Sequence, residues 1–520
     1  VRLPIRPLTP WQAFRLGLWR GVRREARRFA AFWKSPGRSV LALGVAALSL
    51  VLHPFRNGAR LLQVVLAWTI APSRRRWRDL GEGVVLLAIA PTLLPAAAEW
   101  HAALGRFEVA AERARRRRAA RLGRAAPIGR SATGSAVNQA VVGTAINTVP
   151  APLALTEGTL AAIWRNSPDQ SHNALSQVIR LIEQEAVEEV AFQTYLFDEH
   201  SPPARELLAV LAAKQRKHPG FRVSAVTDWT SLPTALRRAG IRAQVAIGRP
   251  LLSRRGQHTK AFILDGRIGV IGGENLNDPH QSDLMVQVAG PVVAALLAEF
   301  DDAWQQSAWK PGPPPEHARE LIQPGPRGVP MACLGKPGVR RLVSRDPYDN
   351  AADQAMVAAI ASARHRIKLQ TPNLNAGVVL RALERAARRG VEIRACLSLN
   401  FNALTSAIDA TSNHALLAYW ADLPRRVQAC FHIRDYSADG RRPALNHTKF
   451  LSVDGHWSYV GSQNLDNQSF AYSREFGIGF DDAAVTRELE AAFFDPDWAR
   501  SLPVRPGWWA RLFPYSLYDR

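Results

Sequence analysis

Two stretches of this chain carry nearly the same phrase. Gln257–Asp278 reads QHTKAFILDGRIGVIGGENLND, Asn446–Asn467 reads NHTKFLSVDGHWSYVGSQNLDN, and the two align without a gap. In each, a His is followed two residues on by a Lys (His258 and Lys260; His447 and Lys449), then by an Asp (Asp265; Asp454). A pair of small residues and an Asn close the phrase: Gly272, Gly273 and Asn275 in the first, Gly461, Ser462 and Asn464 in the second. Polar residues held at so many fixed offsets require the same supersecondary unit to be built twice.

The flanking pattern agrees. Ahead of the first phrase, helical apolar spacing over Ala174–Val187 precedes a strand run at Val190–Phe197; a helix at Arg205–Gln215 precedes a strand at Phe221–Thr227, and a short helix at Thr234–Ala239 leads to a strand at Arg242–Ile247. Ahead of the second, the same reading gives helix Ala351–Ala363, strand Arg366–Thr371, helix Val378–Arg389 and strand Glu392–Ser398. QTYL at Gln193 and QTPN at Gln370 stand 65 and 77 residues before their respective histidines. Such alternation predicts α/β layers with the reactive residues at strand ends. The Pro-dense stretch Lys310–Pro330 reads as the linker between the two halves, and Ala126–Pro152 as a connector into them. Three regions follow: residues 1–150, 151–325 and 326–520.

A chain of 520 residues exceeds one ordinary core. Its net charge of +23 resembles that of a nucleic-acid binder until it is placed: residues 1–150 hold 25 Lys and Arg against 6 Asp and Glu, leaving the rest nearly balanced. That basic region also contains apolar runs at Ser39–Leu52, Leu61–Ala71 and Gly83–Ala98, each shorter than the ~18–20 residues that cross a bilayer unaided. Basic flanks beside apolar runs predict short, tilted or re-entrant membrane segments, and the basic stretch Glu112–Arg124 suits contact with phosphate headgroups. Residues 1–125 are thus expected to meet a membrane surface or bilayer. Charge lying among apolar runs, rather than among aromatics in the catalytic half, argues against nucleic acid as partner. Cys333, Cys396 and Cys430 show no metal-type spacing, and no metal or other cofactor is expected.

In a strand, residues i and i+2 share a face, so each His projects beside its Lys. An imidazole next to an ammonium is a poor structural pair but a good receptor for a phosphate. The small-residue turn lets backbone approach a ligand, which makes Gly273 and Ser462 candidate substrate contacts. Asp265 and Asp454 fall on the opposite parity, and the expectation is that they fix the strand and turn from behind. Asp283, 25 residues after His258, and Glu475, 28 after His447, each open the next apolar strand and are candidates for orienting the imidazoles. A carboxylate accepting one ring N–H leaves the other nitrogen to act as nucleophile or acid.

Doubled HxKxxxxD phrases, each followed by G-G/S-x-N, resemble the signature of the phospholipase D superfamily over about Leu153–Ser501. Bacterial cardiolipin synthases look most similar, through GGENLND, GSQNLDNQSFAYSREF and DLMVQVAGPVV…FDDAW. The chain departs from that pattern at Gln468, where an Arg is usual, and at Ser473 or Arg474, where an Asn is. The resemblance implies two duplicated lobes, each a mixed sheet flanked by helices, related by a pseudo-two-fold axis that brings both motifs into one cleft. It implies His258 as nucleophile, His447 as acid and base, and Lys260, Lys449, Asn275 and Asn464 around the phosphoryl oxygens. The expected function is a phosphatidyltransferase of the bacterial cytoplasmic membrane acting on phospholipid through a phosphohistidine. The alternatives are a hydrolase releasing phosphatidic acid, including a secreted lipase toxin, and a nuclease of the same superfamily. An inactive scaffold would have no need of both motif sets.

Overall fold

The computed structural model describes residues 129–144, 146–166, 174–248, 256–277, 281–318, 328–338, 349–399 and 413–504, all within one compact unit. The apolar runs and basic stretch expected to meet a membrane, and residues 319–327 of the expected linker, lie outside the described residues. Among the described residues no helix is long and apolar enough to cross a membrane.

Among the described residues, one 15-stranded mixed sheet organises the body. Its first seven strands are β1 (Leu155–Asn166), β2 (Glu189–Thr194), β3 (Arg222–Thr227), β4 (Gln244–Ile247), β5 (Ala261–Leu264), β6 (Ile268–Gly272) and β7 (Asp283–Ala289). The remainder are β8 (Val329–Lys336), β9 (Arg366–Gln370), β10 (Glu392–Leu397), β11 (Phe431–Asp435), β12 (Phe450–Val453), β13 (Trp457–Gly461), β14 (Glu475–Asp481) and the short β15 (Leu502–Pro503). The middle of the sheet is the antiparallel pair β1–β8. Outward from β1 the order is β7-β6-β5-β2-β3-β4, and outward from β8 it is β14-β13-β12-β9-β10-β11-β15. In both directions an antiparallel meander passes into a parallel set of three.

Helices cover the sheet by burying one stripe each. In Ala174–Glu185 the buried set Leu175, Val178, Ile179 and Ile182 follows helical spacing; in Gly377–Arg388 the set Val379, Leu380, Leu383 and Ala386 does the same. The expected connector is partly helical: Ala132–Gly143 packs on Ala351–Ser362. Ser131 caps it by accepting from Gly134 N at 2.9 Å, and small residues on both helices permit close approach.

Two tight hairpins aim the site. Asp265 and Gly266 (φ 51° and 62°) join β5 to β6, and Asp454 and Gly455 (φ 54° and 68°) join β12 to β13. Positive φ at both central residues makes a tight turn that suits strand twist and that Asp-Gly adopts readily, closed by Arg267 N–H on Leu264 O (2.8 Å) and His456 N–H on Val453 O (3.1 Å), with Arg267 and His456 as the third residues of the two connections. The aspartates do more than turn the chain. Asp265 accepts the backbone N–H groups of Val187, Glu188 and Glu189 at 2.8 Å each, pinning the start of β2. Asp454 accepts those of Arg364 (2.9 Å), His365 and Arg366 (2.8 Å each), pinning the start of β9.

Candidate active site

Both histidines lie at the open ends of these hairpins, opposite the aspartates. The His-x-Lys segments are extended backbone running ahead of β5 and β12 rather than strand proper. Each is tied to the other half of the sheet: His258 N donates to Arg474 O (3.0 Å) and His447 N to Ser282 O (2.7 Å). The preceding residue is held by the glutamine that recurs in the two halves. Gln257 Nε2 donates to Gln193 Oε1 at 2.6 Å, and Gln370 Nε2 donates to Asn446 Oδ1 at 3.2 Å.

The orienting carboxylates cross over. Glu475, the first residue of β14, accepts from His258 Nδ1 at 3.0 Å, and Asp283, the first residue of β7, lies 2.7 Å from His447 Nδ1. Each ring is therefore served by the half of the molecule to which it does not belong. Gly272 and Gly273 make room for this on one side, since a Cβ on Gly272 would meet Leu284 O at 1.9 Å and one on Gly273 would meet Asp283 Oδ1 at 2.1 Å. On the other side Ser462 takes the place of Gly273 and uses its hydroxyl, donating to Glu475 Oε2 at 2.6 Å.

Burial decides the charge states. His258 and His447 are 9% and 7% exposed, and Lys260, Lys449, Asp283 and Glu475 are buried more completely. Desolvation pushes the His258 imidazole below its usual pKa despite Glu475; it pushes His447 down to about 3, with Lys449 adding to the effect. Burial favours the neutral form of both rings, and a ring that gives Nδ1–H to its carboxylate keeps a lone pair on Nε2. Lys449 Nζ also sits 2.7 Å from His447 Nδ1 and donates to the His447 carbonyl. Burial lowers Lys449 to about 8 and Lys260 well below the ordinary amine value, and the second effect on Lys260 is the charge of Lys449. The charge of Lys449 also lowers His258, and that of Lys260 lowers His447.

The asparagines are less alike. Asn275 is buried and its Oδ1 accepts from Leu196 N at 3.2 Å, whereas Asn464 is half-buried and gives Nδ2 to Asp466 Oδ2 at 3.2 Å. Tyr195 does not stand out in the sequence, although it belongs to the recurrent QTYL. Its ring lies edge-on to His258, centroids 5.0 Å apart, with Lys260 Nζ 5.3 Å from its centroid. Glu274, inside the first phrase, is a second residue that motif spacing does not single out. It is buried beside the site, accepting from Asn166 Nδ2 at 3.3 Å, and burial followed by the charge of Asp283 raises its pKa well above the carboxylate range.

Residues 356–498 match the family described as cardiolipin synthase, PLD-like domain. Cardiolipin synthase A of Proteus mirabilis is 27% identical over 51% of this chain and 54% of its own length; that of Pseudomonas fluorescens is 28% identical over 63% and 66%. The chain thus spans between about half and two thirds of those relatives. The crystal structure of a phosphatidylserine synthase from Haemophilus influenzae superposes with a TM-score of 0.51 over 70% of this chain and 91% of that one, at 11% identity, a likeness of fold. Residues 356–498 thus match a PLD-like domain, and the chain is similar to the bacterial cardiolipin synthases.

Proposed function

We propose that the protein is a phosphatidyltransferase acting on phospholipid phosphodiesters through a phosphohistidine, with a second phospholipid such as phosphatidylglycerol as acceptor. The observation that carries the reading is the crossed pair of His–carboxylate contacts, each engaging Nδ1 and so turning Nε2 to the opposite side of the ring, next to a buried lysine. In the first step one Nε2 attacks phosphorus; a P–N bond forms, the P–O bond to the leaving glycerol breaks, and the departing oxygen takes the Nε2 proton of the second histidine, which is the imidazolium once the phosphodiester anion is bound. In the second step that histidine removes the acceptor's hydroxyl proton, the new P–O bond forms and the P–N bond breaks. Lys260 and Lys449 offset the charge gathering on the phosphoryl oxygens, and Asn275 and Asn464 close the site around them.

On this reading the two outward sequences of strands are duplicated lobes related by a pseudo-two-fold axis, residues 151–325 and 326–520, with the basic, apolar region ahead of them meeting the bacterial inner membrane. By the resemblance, His258 is the nucleophile and His447 the acid and base. One observation favours the reverse. Lys449 Nζ lies 2.7 Å from His447 Nδ1, and burial together with that charge lowers the pKa of this ring, so before substrate binds His447 holds a proton poorly, as a nucleophile must. Rapid quench of the enzyme with a headgroup-labelled and acyl-labelled phospholipid, followed by peptide mass spectrometry, identifies the phosphorylated ring. The products test the class: lipid carrying two phosphatidyl groups is expected, and phosphatidic acid as the dominant product in the presence of acceptor lipid would replace the transferase with a hydrolase.

A further inference from the structure

The phrase FDDAW at Phe300–Trp304 has a partner in FDPDW at Phe494–Trp498. Both sit on a helix that follows the strand with the orienting carboxylate: Val292–Gln306 after β7, and Asp495–Arg500 after β14. Their acids reach across the middle of the sheet to equivalent places. Asp497 accepts from Ser282 Oγ at 3.2 Å, and Ser282 immediately precedes Asp283. Glu299 and Asp302 take Arg474, which immediately precedes Glu475: Nε lies 2.8 Å from Glu299 Oε1 and Nη2 lies 2.8 Å from Asp302 Oδ2. Arg474 has no exposed surface. Its backbone is engaged as well, with its N–H on Gly256 O (2.7 Å) and its carbonyl receiving His258 N (3.0 Å).

Arg474 therefore meets two of the contacts that fix His258, the backbone bond at His258 N and, as its chain neighbour, the orienting Glu475. It is bonded to the orienting carboxylate's own chain, to the backbone of the histidine, and to a helix of the half in which that histidine lies. A fully buried guanidinium is a costly way to hold a loop, because desolvation opposes it. The other histidine is served by a serine at the same place.

We propose that Arg474, gripped by Glu299 and Asp302, is a positioning residue for His258: an ionic clamp across the seam that aligns Glu475 with the His258 ring, separately from the Ser282–Asp497 contact that serves His447. The inference rests on the reading of His258 as a reacting group. Arg474→Lys keeps the charge and loses the planar fork. Because removing one partner of a buried cluster strands the others, the triple variant Arg474→Met, Glu299→Gln, Asp302→Asn removes all three charges together. The measurements are turnover per folded molecule with a short-chain, soluble phosphatidylglycerol, and the rate of diethyl pyrocarbonate labelling at the His258 and His447 peptides.

A loss of about 10- to 100-fold in kcat with KM nearly constant is expected in both variants, the scale of a small misplacement of a reacting group. His258 labelling should change severalfold while His447 labelling stays at the wild-type rate. A folded triple variant with wild-type kcat and unchanged His258 labelling would show that the cluster only holds the fold, and would overturn the proposal. Equal changes at both histidines would overturn its separateness. If the wild-type protein turns over no phospholipid, it is the proposed function that fails, and the labelling ratio still decides the clamp.

Discussion

Replacing Asp454 should cost stability and leave the chemistry nearly alone. Its carboxylate accepts three backbone amides: Oδ1 takes those of His365 and Arg366, and Oδ2 takes that of Arg364. In Asp454→Asn the amide oxygen would keep the first two and the amide N–H would face the N–H of Arg364, losing one charge-assisted bond at a position water can reach. The expected cost is about 1–2 kcal/mol, below the ~1.5–3 kcal/mol of such a bond when buried. Asn also tolerates the left-handed backbone at φ 54°. Asp454→Ala loses all three hydrogen bonds and places a side chain without local hydrogen bonding in that conformation, for about 4–5 kcal/mol. Urea unfolding of the full chain should show this order, followed by tryptophan fluorescence, since Trp457 is buried in the same hairpin. Turnover measured well below the transition should stay within about threefold of wild type for the Asn variant, as for a frame residue remote from the reacting atoms. An Asn variant with the wild-type midpoint and turnover reduced by about two orders of magnitude would refute this account and make the aspartate part of the chemistry.

Other outcomes follow from the site. Asp283→Asn should slow diethyl pyrocarbonate labelling of His447 and spare His258, and Glu475→Gln should do the opposite; the reverse pattern would contradict the crossed pairing. The value of about 8 for Lys449 predicts that kcat/KM falls as pH rises through about 8, where the ammonium is lost, and that Lys449→Arg moves this limb upward; a limb that stays in place assigns it to another group. His447 has its folded pKa depressed to about 3, so its contribution to stability is present above the unfolded value near 6.5 and lost as pH falls toward 3, by at most about 4–5 kcal/mol. In His447→Gln, stability between about pH 6 and pH 4 should fall less steeply by up to one proton, as read from urea midpoints across that range.

The doubled motif, the recurrent glutamine and the helices and strands from Ala174 to Ile247 and from Ala351 to Leu397 were legible, because each rests on local periodicity; helix His414–Asp422 and β11 were not read. Legible too was the frame role of the aspartates, from parity alone, although not the hairpin that explains it. The strands at the middle of the sheet were not. β8 contains Pro330, which argues against an interior strand, yet this residue pairs only with Glu157 of β1 and lies one position beyond the last pairing of β8 with β14. The helix Ala132–Gly143 was hidden by its own composition, since Gly, Ala and Ser also make linkers; tertiary packing decided between them. The crossed carboxylates could not be read from spacing, because Asp283 is nearer in sequence to His258 than to the ring it holds. Arg474 appeared only as a departure from a resemblance, and its partners lie 172 to 175 positions away.

Crossing has a consequence for how such a protein can fail. Either half of the sheet folded alone would display a histidine, a lysine and a carboxylate in native conformation and still be without a single aligned ring. Correct secondary structure, correct burial and even correct motifs would give no activity until the seam between β1 and β8 closed in register. The site thus reports on assembly: a shift of one half against the other misaligns both imidazoles together, so damage at the seam, far from any motif, should silence the protein as completely as the loss of either histidine.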